Sequence, residues 1–159
     1  MFKKRKYIIS LLLISLILFT GCSISKKVKT DETEEFTKSI LESNEKIKEL
    51  EFYFIKPDFC ADLVHDGDLD EEEFEDIINE FKTLVNIEFM EKVGEKYWKG
   101  LRPKGFNVYI HIDEMRKDNY DYLLESTYRK HSNQPDGPDN IDGYKTYTIF
   151  DPHISPEPK

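Results

Sequence analysis

Asp70-Glu71-Glu72-Glu73-Phe74-Glu75-Asp76-Ile77-Ile78-Asn79-Glu80-Phe81-Lys82-Thr83-Leu84-Val85 is the most regular stretch of the chain. Its apolar residues Phe74, Ile77, Ile78, Phe81, Leu84 and Val85 recur at the i, i+3, i+4, i+7 spacing of one helix face. Glu71, Glu72 and Glu73 fall in the first turn, where negative charge meets the positive end of the helix dipole, and Asp68 or Asp70 is available as the cap. A helix with so broad an apolar stripe must bury it against another layer. Phe106 to Asp113 supplies one: Phe106, Val108, Ile110 and Ile112 alternate with Asn107, Tyr109, His111 and Asp113, the period-two pattern of a half-buried strand.

Working outward, the helical spacing continues through Ile87, Met90, Val93 and Tyr97, as a continuation or after a kink, with Gly94 or Gly100 to end it. Leu101 to Gly105 is a connector. Tyr120 to Arg129 fits either a strand or a helix, and its tyrosine and threonine content favours a strand. His131 to Gly143 is a turn-rich loop, Gly143 to Phe150 a last strand, and residues 152–159 a proline-punctuated tail. On the other side, Leu50 to Ile55 is a dense aromatic and β-branched run that Pro57 closes, and the stretch from there to Gly67 has no regular pattern. Phe36, Ile40, Leu41, Ile47 and Leu50 mark an earlier helix opening near Thr30 or Asp31. The resulting expectation is one α+β domain over residues 31–151. It has two layers, with about four strands in an antiparallel or mixed sheet and two main helices on one face.

The first 22 residues are different in kind. A basic start (Lys3, Lys4, Arg5, Lys6) precedes an apolar run from Tyr7 to Phe19 of 13 residues, shorter than the roughly 20 a membrane-spanning helix takes. Small residues and a cysteine follow, which completes the pattern of a secretory signal. Phe19-Thr20-Gly21-Cys22 resembles the lipobox of bacterial membrane lipoproteins, with Phe19 where leucine is commoner. The resemblance implies removal of residues 1–21, a diacylglyceryl thioether on Cys22, a further acyl chain such as palmitate on the new amino terminus, and a domain held outside the cytoplasm at the cell membrane. Two or more chains suffice for stable anchoring. Residues 22–30 would then be a lipidated tether.

Removing residues 1–21 leaves 138 of 159 residues, enough for one domain with a real core. Four of the 23 basic residues and none of the 32 acidic ones leave with the leader, so the formal charge moves from −9 to −13. A body that acidic is a poor partner for nucleic acid or for anionic lipid head groups. With Cys22 lipidated, Cys60 has no disulfide partner and reads as a small buried hydrophobe.

His65-Asp66-Gly67-Asp68-Leu69-Asp70 resembles half of a calcium loop, but an EF-hand begun at Asp66 needs glycine and an acid where Glu71 and Ile77 stand. A turn feeding a capped helix explains the acidic segment 66–73 more simply. The second acidic loop, 136–142 with Asp136, Asp139, Asn140 and Asp142, has the composition of turns. The four histidines lack metal-ligand spacing, and the common catalytic motifs are missing, so neither metal nor cofactor is implied. The outward side of the strands is more informative: Tyr109 and His111, joined by whichever of Tyr120, Tyr122, Tyr144 or Tyr147 shares their side, would make an aromatic sheet face suited to protein or glycan recognition. The expectation is a lipid-anchored interaction module at the cell envelope that holds another envelope protein or a wall polymer. A solute- or cation-binding lipoprotein is the alternative, and a carboxylate-based hydrolase comes third.

Overall fold

Three helices lie against one face of a six-stranded mixed sheet in the computed structural model, which describes residues 25–116, 119–134 and 137–152. The expected leader with Cys22, in residues 1–24, and all but Pro152 of the expected tail lie outside the described residues. In chain order the elements are β1 (Lys26–Lys27), α1 (Asp31–Ser43), β2 (Ile47–Ile55), β3 (Asp58–His65), α2 (Glu71–Leu84), α3 (Ile87–Tyr97), β4 (Gly105–Ile112), β5 (Tyr122–Thr127), a 3₁₀ turn (Pro138–Asn140) and β6 (Tyr147–Phe150). Strand order in the sheet is the order in the chain. Every neighbouring pair is antiparallel except β3 and β4, which run parallel. A parallel pair needs a long crossover, and α2 with α3 provides it.

Local chemistry sets the helix ends. Asp70 caps α2 reciprocally: its carboxylate accepts from Glu73 N at 2.9 Å, and Glu73 Oε2 accepts from Asp70 N at 3.0 Å. Thr30 and Thr33 form the same box at the start of α1. The periodicity that runs from α2 into α3 is broken at Asn86, an extended residue whose side chain accepts from Phe89 N at 3.0 Å and starts a new helix. Gly94 lies inside α3; a Cβ there would stand 2.2 Å from the carbonyl oxygen of Leu101, so only glycine lets the connector fold back across the helix. Gly100, at φ +81°, follows the helix end.

The core is a run of phenylalanines joining helix to sheet. Phe52 stacks on Phe59 with ring centroids 5.4 Å apart, and Phe59 on Phe106 at 5.1 Å. From the helices, Phe36 (α1), Phe81 (α2) and Phe89 (α3) close over them. Each such ring, fully withdrawn from water, contributes roughly 1.5–3 kcal/mol.

Several expectations change. Among the described residues the sheet has six strands where about four were expected, and three helices stand where two main ones were expected. Residues 58–65, expected to be irregular, form β3. Asp58 and Asp62 interrupt its apolar pattern, and Cys60 and Val64 are buried on the opposite side from Phe59, Ala61 and Leu63, so no alternation was visible. Ile47 and Leu50 belong to β2, because α1 stops at Ser43. Part of the expected tether is structured: Lys26 and Lys27 pair with Phe54 and Tyr53, and Val28 is buried in the core. Residues 122–127 form the strand that the tyrosine content favoured.

Candidate functional site

The helices cover one face of the sheet, and no described helix lies on the other. Strand alternation decides which side chains stand there. On β2 these are Glu49, Glu51 and Tyr53; on β3, Cys60, Asp62 and Val64; on β4, Asn107, Tyr109 and His111; on β5, Leu123 and Glu125. Register brings them side by side, with Tyr53 across from Cys60, Asp62 across from Tyr109, and Val64 across from His111.

Asp62 is the hub. Its Oδ1 accepts a hydrogen bond from the Tyr53 hydroxyl at 3.1 Å, and His111 Nε2 stands 3.5 Å from the same oxygen. His111 Nδ1 faces the backbone N–H of Arg116 at 3.5 Å, an arrangement that fits the tautomer with its proton on Nε2, directed at Asp62. Tyr109 meets Tyr120 edge to face, with centroids 5.2 Å apart and planes at 61°. Tyr120 arrives from the segment after β4. Arg116 pairs with Asp121, whose Oδ2 also accepts from Ile112 N at 2.8 Å and ties that segment to the strand end.

Electrostatics keep the hydroxyl and thiol groups of this face protonated. Burial pushes the Tyr109 hydroxyl up to about 12. Burial first, and then the Asp62 carboxylate, pushes the Tyr53 hydroxyl well above its ordinary range. Burial likewise lifts the Cys60 thiol to about 12, with Asp58 adding to it, so this sulfur is a packed hydrophobe rather than a nucleophile. The result is a half-buried surface of tyrosine rings and hydrogen-bond donors around one carboxylate, with the acids Glu49, Glu51 and Glu125 about it. It can bind through ring contact and directed hydrogen bonds.

Of the residues expected to share this face, Tyr109, His111 and Tyr120 do. Tyr122 does not: it stands on the helix side, edge to face with Phe74, and its hydroxyl donates to Asp68 Oδ1 at 2.6 Å. Tyr144 is buried at 1% exposure, at φ +65°, with its hydroxyl donating to the carbonyl of Pro103. Tyr147 packs edge to face on Phe106 on the helix-covered side. The strand expected from Gly143 begins at Tyr147, so Tyr144 lies in a turn before it. Tyr53 and Asp62 went unnoticed in the sequence. Tyr53 was legible in the alternation of Leu50, Phe52 and Phe54 with Glu49, Glu51 and Tyr53; Asp62 was hidden with the rest of β3.

The acidic loops are spoken for locally. Asp66 pairs with Lys48 at 3.0 Å, Asp68 receives Tyr122 and Leu69 N, and Asp70 caps α2. Asp142 accepts from Lys145 N, Thr146 N and Thr146 Oγ, each at 2.8 Å. Asp136 and His153 lie outside the described residues. Among the described residues no three histidine, cysteine or acidic side chains converge as a metal site, and no helix is long and apolar enough to cross a membrane. No protein-family model, characterised protein or solved structure matches the chain.

Proposed function

We propose that the chain is a non-catalytic interaction module, held at the outer surface of a bacterial cell membrane by lipid on Cys22, that binds another envelope protein or a wall polymer through the helix-free face of its sheet. The observation that carries this reading is the cluster of Tyr53, Asp62, Tyr109, His111 and Tyr120 on a face that no described helix covers. Tyrosine combines contact area with a hydrogen-bonding tip at low entropic cost, which suits recognition of protein and glycan surfaces. The lipobox-like Phe19-Thr20-Gly21-Cys22 supports the placement.

Tyrosine footprinting tests the reading. Iodination of intact cells should label Tyr109 and Tyr120 less than iodination of the purified protein does, because the partner covers them. Mass spectrometry of the same product should find Cys22 acylated. Equal labelling in the two settings removes the face from the account, and an unmodified Cys22 removes the membrane.

A further inference from the structure

The two edges of the sheet are built differently. At one edge β1 is two residues long and both are lysines, the kind of short charged strand that deters further pairing. At the other, β6 reads Tyr147-Thr148-Ile149-Phe150, with no charge and no proline, paired with β5 in unbroken register. No described strand pairs with its outer side. Ile149 and Phe150 are 45% and 44% exposed. They point to opposite faces, since Ile149 stands across from Leu124 and Phe150 across from Leu123. A strand added at this edge would find an apolar contact above and below. The edge is also held ready: Asp142 fixes the entry to β6 through both the Lys145 and Thr146 amides.

Charge selects the occupant. Glu125 stands across from Thr148, Asp142 lies at the entry and Asp151 follows Phe150; Lys145 is the one basic residue from 142 to 152. A second copy fits poorly: β6 offers four residues where a stable interface uses roughly 20–30 a side, and it would bring two bodies of formal charge −9 together. We infer that the β6 edge binds an extended, basic polypeptide segment by strand addition, main-chain hydrogen bonds giving affinity and flanking carboxylates giving preference for lysine or arginine. The site goes beyond the tyrosine face and depends on neither that face nor the anchor. Because strand order follows chain order, it lies five strand spacings, about 24 Å, from the β1 edge.

The test uses the full chain in detergent micelles and three labelled octapeptides: alternating Lys and Val, alternating Glu and Val, and the Lys/Val peptide N-methylated at every second residue to remove pairing donors on one edge. The Lys/Val peptide should bind and slow amide hydrogen exchange within residues 147–150. The Glu/Val and N-methylated peptides should each bind at least about tenfold more weakly, and Ile149→Lys should weaken Lys/Val binding by a similar factor. Ile149 is exposed, so that variant should keep its fold, which a thermal melt checks. Equal affinity for the N-methylated peptide, indifference to Ile149→Lys, or no binding of any peptide overturns the inference. So does a peptide-free dimer in sedimentation that Ile149→Lys dissolves, since the occupant would then be a second copy.

Discussion

The two faces of this sheet are made by the same strands, residue by residue in alternation, yet they do different work. Toward the helices, Phe52, Phe59 and Phe106 stack in a row and disappear from solvent. Toward the other side, Tyr53, Asp62 and Tyr109 are half-buried and keep hydroxyls and a carboxylate near water, while the ring of His111 is buried against Asp62. The first face stabilises the fold by apolar burial; the second spends polar groups where packing alone would have chosen leucine or valine. A face that carries directed donors and acceptors around one carboxylate is the better candidate for recognition.

Substitutions should separate the two. Phe81→Ala removes a ring that touches Phe36, Phe52 and Phe106 and should cost about 3–5 kcal/mol in urea unfolding, enough to leave a marginal fold largely unfolded. Gly94→Ala drives a methyl into the Leu101 carbonyl and should cost about 1–3 kcal/mol by the same measure. Asp70→Ala opens the capping box of α2 and should cost about 1 kcal/mol. On the helix-free face, Asp62→Asn keeps a neutral acceptor for Tyr53 in place of a charged one and should cost no more than about 1 kcal/mol. A cost for Asp62→Asn near that of Phe81→Ala would break the comparison, because the face would then be structural.

The smallest effect is one of pH. The folded state holds the Tyr109 proton more tightly than the unfolded state, its hydroxyl being raised by burial from 10.0 to about 12. That contribution is complete below about pH 10 and is lost as pH rises toward 12. Tyr109→Phe should therefore flatten the fall in melting temperature across this window, and an unchanged slope would mean that the hydroxyl is not desolvated.

The two layers were legible in the sequence, and the full sheet was not. Asp70 to Val85 and Phe106 to Asp113 were legible because each has one buried face, and a single period exposes itself in the order of residues. Strand β3 was not: it runs between β2 and β4, both its faces carry buried residues, and its two aspartates break the apolar run. Strand β1 was hidden for the opposite reason, since two lysines carry no pattern and only pairing with β2 orders them. Of the tyrosine face, Tyr109 and His111 followed directly from alternation. Tyr144 and Tyr147 could not be placed without knowing that the left-handed turn at Gly143 and Tyr144 precedes β6 and sets which side of the strand each ring takes.

A photo-crosslinking amino acid placed at position 109 of the full chain, compared in living cells with one at position 75 on the exposed side of α2, tests the assignment of recognition to the helix-free face most directly. An adduct from 109, lost in Asp62→Asn or Tyr120→Ala, with none from 75, is the expected result. Adducts from 75 and none from 109 would contradict it, and would move recognition to the helices.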